Sequence, residues 1–483
     1  MPDLYDKTKP YFIEPEAPFA RPSKGASGVL WLFAILIPAI LSYALVEGSQ
    51  SQVIAATLGI ICLLVILARP YVGLIVFVAL IMIRPEDYLP NLAAMRLTLA
   101  VAVVTLVAMW FGMFLKKERF VRSPVNPMLL LFGGWVVFAA FQYGQASTAL
   151  TDISKLIILV FLVINLIKTP ERYKFLTNTL IWLITYMAVY SVYLNIHGVA
   201  LDRNGIMQSQ LTGIFADPND LSSTLVVGLA LALVQIVQSK AWRKFPFILA
   251  ALAIFSAILY CQSRGGLLAT MVLFALFNLS YVRQKWIGVI LGVIAVMGLL
   301  FFTHGRINDY NSSGASVDSR FVFWDNGLKQ LQWHPFIGDG YHGFPDQNGG
   351  MTAHNTFVLC FAENGFPGFL FWMGFVYFAY RKRKTTDWDH APKEYRNEWL
   401  GARMMLTSYF AAVFWLSRTY EPVTFLFIAL SVVQQMAYDP IGYFAPRTPQ
   451  ERWMEWRRLL LLAVGMILFI WLFEMHERGY LIP

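Results

Sequence analysis

The stretch FPFILAALAIFSAILYCQSRGGLLATMVLFALFNLSYV, Phe245–Val282, decides what class of protein this is. Two apolar runs flank a short polar corner, Gln262-Ser263-Arg264-Gly265-Gly266. Each run is close to the ~20 residues that a helix needs to cross the hydrocarbon of a bilayer. Similar runs recur along the chain, from 28–46 and 52–68 through to 422–437 and 458–474, about fourteen in all. Of 483 residues, 57% are hydrophobic and 14% charged, with a mean hydropathy of +0.55. A water-soluble domain could not hide so much apolar surface. The composition predicts an all-α, polytopic transmembrane helical bundle: a polar N-terminal tail over 1–27, then one transmembrane domain over 28–483. The tail is proline-rich and lacks the short basic start of a signal peptide, so the run 28–46 reads as a retained first span.

Loops alternate between two sides of a membrane. With the N-terminus on side one, that side collects KKERFVR (116–122), KTPERYK (168–174), SKAWRK (239–244), RKRK (381–384) and the arginines of 447–458. It holds most of the 38 lysines and arginines, which makes it cytoplasmic by the positive-inside rule. The net charge of +9 is therefore a topology signal, and no nucleic-acid partner is implied. Cys62, Cys261 and Cys360 lie inside apolar runs, at spacings that suit neither a metal nor a disulfide framework. No cofactor or metal spacing is present.

The outward loops carry residues that oppose this bias. Asp217-Pro218-Asn219-Asp220 reads as a helix start: Asp217 as N-cap, Pro218 at the first position, and Asn219 and Asp220 facing a polar cavity at the outer edge. At the opening corner, Ser263 caps the next helix. Gly265 and Gly266 bare backbone N–H groups there, and Arg264 adds a planar fork suited to phosphate oxygens. Left to itself, the same arginine would also fit a side chain snorkelling to lipid headgroups. The long outward loop 304–354 contains SRFVFWDNGLKQL (319–331), which has the spacing of a short amphipathic helix. It ends on His354 and Asn355, and imidazole suits acid–base work near neutral pH. In ENGFPG (363–368), Gly365 predicts a helix stop and Pro367 a restart.

Four segments, TGIFADPNDLSSTL (212–225), QSRGGLLA (262–269), DSRFVFWDNGLKQLQWHPFIGDGYHGF (318–344) and AHNTFVLCFAENGFPG (353–368), resemble the bacterial O-antigen ligase and polymerase superfamily, in order and at comparable intervals. RPEDYLP (84–90) is a weaker likeness to members acting on exopolysaccharide. The resemblance implies a multispanning, GT-C-like glycosyltransferase of the bacterial inner membrane. It implies metal-independent, inverting transfer of an undecaprenyl-diphosphate-linked oligo- or polysaccharide to an acceptor hydroxyl on the periplasmic side. That acceptor is lipid A–core in a ligase and another lipid-linked repeat in a polymerase. By position, Arg264 would hold the diphosphate and His354 would activate the acceptor, with Glu363 as the second candidate base. Arg320 and Trp324 would shape the site, beside Ser263, Gly265, Asn219, Asp220 and Asn355. Gln210 stands where family members often carry a second arginine, and Arg203 is the nearest substitute. A transporter or flippase for lipid-linked sugars is the rival reading. It predicts charges running through the membrane, whereas the polar motifs here gather on one side.

Overall fold

A computed structural model describes residues 50–88, 96–203, 206–281, 310–381 and 391–477. The tail 1–27, the apolar runs 28–46 and 286–303, and the first residues of the long loop lie outside that set. The chain divides between Ala68 and Arg69 into two units. In the first, the described element is α1 (Gln50–Ala68), which is mostly apolar after its opening Gln-Ser-Gln.

The second unit is built of helices. In chain order these are α2 (Pro70–Ile83), α3 (Leu97–Lys116), α4 (Val125–Gln142), α5 (Ala146–Leu166), α6 (Pro170–Ile196), α7 (Pro218–Gln238), α8 (Phe245–Cys261) and α9 (Arg264–Tyr281). After them come α10 (Tyr310–Trp333), α11 (Thr356–Tyr380), α12 (Lys393–Val413), α13 (Pro422–Tyr438) and α14 (Pro449–Glu477). Prolines open α2, α6, α7 and α13, where the missing N–H costs nothing. Eight helices among the described residues are long and apolar enough to cross a membrane: α3 to α7, α8 with the turn before it, α9 and α14. This makes the chain an all-α, multi-pass membrane protein. The expected number of spans, about fourteen, is larger. Part of the difference falls on runs outside the described set. The rest falls on α1, in which Gly59–Ala68 counts only as a short apolar stretch, on α2 and α13, which are short, on α12, whose first half is polar, and on α11, which is broken.

The core forms around α7. Of its span, 72% is buried, more than in any other of the eight, and it packs against α6, α8, α9 and α12. A second group gathers α4, α10, α13 and α14 around α11. The last helix is fastened at one end: Arg381, capping α11, and Arg447 both meet Glu455 of α14, Arg447 at 2.9 Å, and both lie over the Phe378 ring.

Three elements differ from the sequence reading. The short amphipathic helix expected within 319–331 is a 24-residue helix, α10. Helix α5 begins seven residues before the apolar run at 153, because Ala146–Asp152 continues the helical turn at little cost. A small antiparallel hairpin, β1 (Leu201–Arg203) and β2 (Ile206–Gln208), fills an outward loop, with Leu201 opposite Gln208 and Arg203 opposite Ile206.

The break in α11 falls where Gly365 and Pro367 placed it. Gly365 has φ 64° and ψ −173°, far from helical values. The backbone groups freed there are taken over by the outward loop. Asp339 N–H donates to the Ala362 carbonyl at 2.9 Å, Gly340 N–H to that of Glu363 at 3.0 Å, and Phe366 N–H donates to Pro335 at 2.7 Å. The loop can come this close only because Gly338 and Gly365 lack a Cβ. One added at Gly365 would lie 2.2 Å from the Phe336 carbonyl oxygen, and one at Gly338 would lie 2.3 Å from the Glu363 carbonyl carbon. Gly365→Ala should therefore combine a backbone penalty of about 1–3 kcal/mol with a main-chain clash, and lower the unfolding midpoint of the detergent-purified protein. Gly134→Ala, at a helical glycine with open space around it, should leave that midpoint unchanged or raise it.

Candidate active site

Three helix starts converge at one end of the bundle. At the start of α7, the Asp217 carboxylate accepts from the Asn219 amide N–H at 2.7 Å and from its side-chain Nδ2 at 2.8 Å. Held this way, Asn219 turns its Oδ1 to the Ser263 hydroxyl, which donates to it at 2.7 Å. Ser263 in turn caps α9 by accepting from the Gly266 N–H at 3.2 Å. The two starts touch through Gly266, where a Cβ would lie 2.4 Å from Ser222 Oγ. Gly266 is thus explained by packing, and Gly265 is left at the margin beside Trp415. At the third start, Asn355 Oδ1 caps α11 by accepting from Phe357 and Val358 N–H at 2.9 and 3.1 Å. Its Nδ2 is buried with no hydrogen-bond partner among the described residues.

Arg418, in the turn between α12 and α13, joins these starts from within. Its Nε donates to Asp220 Oδ1 at 2.7 Å, its Nη2 pairs with Asp220 Oδ2 and donates to the Ile214 carbonyl at 2.9 Å, and its Nη1 lies 3.2 Å from Glu421. Its backbone N–H donates to Thr356 Oγ1 at 3.0 Å, and Thr356 Oγ1 donates to the Leu416 carbonyl. Burial works against this charge, but Asp220 and Glu421 outweigh it, and the Arg418 pKa is raised. Asp220 therefore belongs to an internal ion pair, and Asn219 to an internal hydrogen-bond chain; the polar cavity expected to receive them is not seen at these two side chains.

The remaining cations sit around this frame. Arg264 is the first residue of α9 and is exposed. Arg320, half-buried on α10, feels it. The Arg320 pKa is lowered, first by burial and then by the like charge of Arg264, with Asp217 acting in the opposite sense. One turn further along α10, the Trp324 indole is fully buried and donates to the Ala353 carbonyl at 3.1 Å. It packs on Trp415, Phe414 and Phe473 with ring centroids 5.4–6.0 Å apart. His354 follows Ala353 directly, in a left-handed backbone conformation (φ 49°), with its ring 6.2 Å from that of Phe323 on α10. The same helix therefore carries Arg320 and anchors the peptide that presents His354.

Not every expected residue joins this group. Glu363 is fully buried two helical turns beyond Asn355, and its Oε1 accepts from the Phe344 N–H at 3.4 Å. It lies where the loop docks on the α11 break. Gln210 is half-buried in a strap fixed on either side: Gln208 Nε2 donates to the Cys261 carbonyl at 3.0 Å, and Ser209 N–H to that of Tyr260 at 3.0 Å. This strap braces the corner that carries Arg264. Arg203 lies in β1, and its side chain is outside the described set. Arg418 belongs to none of the motifs read from the sequence. Its position immediately after an apolar run, facing Asp220 across two hundred residues, is not a local signal. Arg418→Met strands the carboxylates of Asp220 and Glu421, and Asp220→Asn leaves the buried Arg418 with Glu421 alone, so each should lower the thermal unfolding midpoint, Arg418→Met the more. The double variant should recover much of that loss in thermal unfolding.

With this geometry in place, comparison with known proteins becomes informative. No curated protein matches the sequence. A family model described as O-antigen ligase matches residues 248–373, from α8 to the middle of α11. The matched segment contains Ser263, Arg264, Arg320, Trp324, His354, Asn355 and Glu363, and it associates the chain with surface-glycan assembly of the ligase or polymerase kind. The match covers about a quarter of the chain, and over that segment the chain is similar to the O-antigen ligase family, which supports a place in the O-antigen ligase/polymerase superfamily.

Proposed function

We propose that the cluster at the starts of α7, α9 and α11 transfers a glycan from a polyprenyl-diphosphate carrier, of the undecaprenyl type, to an acceptor hydroxyl at the periplasmic face of the inner membrane. The observation that carries this reading is the pairing of Arg264 with Arg320 beside the start of α9, with His354 anchored to the same helix as Arg320. Two like charges that act on each other, one of them half-buried and only partly offset by Asp217, suit an anion of two or more charges. The N-terminal end of α9 adds its partial positive charge.

In the transfer, the acceptor oxygen forms a bond to the anomeric carbon as the bond from that carbon to the diphosphate oxygen breaks. The hydroxyl proton passes to the His354 ring, and the carrier leaves as its diphosphate. Negative charge grows on the leaving oxygen, so Arg264 and Arg320 contribute most in the transition state. The unpartnered Nδ2 of Asn355 is a further donor at the same helix start. Glu363, Gln210, Gly265, Asn219 and Asp220 support or border the site.

Purified protein given a synthetic polyprenyl-diphosphate glycan and an acceptor should show turnover in detergent, where no compartments exist. A pure transporter would show none. His354→Ala should lower the rate by about 10²–10⁴ and Arg264→Ala by about 10²–10³, with both variants unfolding at the wild-type temperature. Wild-type rates in both would end this proposal. Surface glycan from a deletion strain identifies the acceptor. Single repeats on lipid A–core indicate a lost polymerase, and full-length polymer left on the carrier indicates a lost ligase.

A further inference from the structure

The segment joining α3 to α4 lies at the opposite end of the bundle. Lys168, just before α6, pairs with Glu118 at 2.7 Å, whereas the far end of α6 is bonded through Ser191 to the strap beneath Arg264. The two regions are therefore separated by most of a 27-residue helix, about 40 Å long at 1.5 Å per residue. A cavity of about 560 Å³ opens between Glu118 and Pro127, lined by Arg119, Phe120, Arg122, Ser123 and Asn126 among others. Its frame is fixed. Val121 N–H donates to the buried Asn165 Oδ1 at 2.9 Å, the Val121 carbonyl accepts from Asn126 Nδ2 at 2.8 Å, and the buried Ser123 hydroxyl meets Tyr443 OH at 2.5 Å.

Neither Arg119 nor Arg122 has an ionic or hydrogen-bond partner among the described residues, while the one carboxylate of the segment, Glu118, is already neutralised by Lys168. Phe120 is 43% exposed beside them and packs on Phe161 with ring centroids 5.1 Å apart. Two uncompensated guanidinium forks on a pinned backbone, next to an exposed aromatic ring and a cavity, match a phosphodiester headgroup with acyl chains beside it. Free phosphate would match the forks but leave the aromatic ring without a role. We propose that this cavity binds the headgroup of an anionic phospholipid at the membrane face opposite the candidate active site.

The test is native mass spectrometry of the full-length protein in detergent, titrated with phosphatidylglycerol or cardiolipin and with phosphatidylcholine. Arg119→Gln/Arg122→Gln should weaken binding of the anionic lipids about tenfold or more, since each cation near a charged headgroup contributes on the order of 1 kcal/mol. Arg243→Gln/Lys244→Gln removes the same charge from another loop on that face and should leave binding unchanged. Should the glutamine variant fail to fold, Arg119→Lys/Arg122→Lys keeps the charge but loses the fork, and should still bind more weakly than wild type. Equal losses in the two glutamine variants, equal binding of phosphatidylcholine, wild-type binding by the lysine variant, or displacement of the lipid by millimolar inorganic phosphate would each overturn the proposal.

Discussion

The contact of Arg418 with Asp220 is the constraint on which the outward end of this protein depends. A guanidinium that is 5% exposed cannot stay charged without partners, and Arg418 finds them on segments far apart in the chain. It fixes the start of α7 through Asp220, the turn before it through Ile214, and the start of α11 through Thr356. Such a pair adds little net stability compared with a well-packed apolar pair. What it adds is specificity, because any other docking of these segments leaves a charge stranded in a low-dielectric interior. The pair ties the starts of α7 and α11 together, and the Asn219–Ser263 hydrogen bond adds the start of α9.

Around that pair, acids and cations divide between two roles. Asp217 and Asp220 sit on the inner side of the helix starts, one capping α7 and the other holding Arg418. Arg264 lies on the outer side, at the margin of the bundle, with Arg320 near enough to couple to it. The N-terminal ends of α7, α9 and α11 meet here, and each carries a partial positive charge. Asp217 opposes these charges at the same place, since it acts on Arg320 in the sense opposite to Arg264.

Much of this was legible in the sequence because it is local. Asp217-Pro218 and Ser263 before two glycines each specify a helix start within a few residues, and each forms as read; the cap at Asn355 is equally local but was not read as one. Gly365 and Pro367 specify the break in α11 for the same reason. The hairpin escaped notice although Asn204-Gly205 is a strong two-residue turn signal, because an apolar survey looks for spans. What could not be read is pairing at a distance. Nothing near Arg418 names Asp220, and nothing near Gly266 names Ser222, so the same glycine read as bare backbone for an anion serves mainly to bring two helices together. Glu363, the second candidate base, is buried two turns into α11, where its carboxylate accepts from Phe344 of the loop, a partner that no residue near it in the sequence names.

The break in α11 also bears on how the chain enters a membrane. Hydrocarbon offers no hydrogen bonds, so a spanning segment normally supplies all of its own. Helix α11 does not, because Pro367 has no N–H to give and Phe366 has turned its own away from the helix. The missing bonds come from Pro335, Asp339 and Gly340, which precede α11 in the chain. The chain therefore supplies the bonding partners ahead of the helix that needs them, and the loop 335–340 is part of the bonding of α11 rather than an appendage to it.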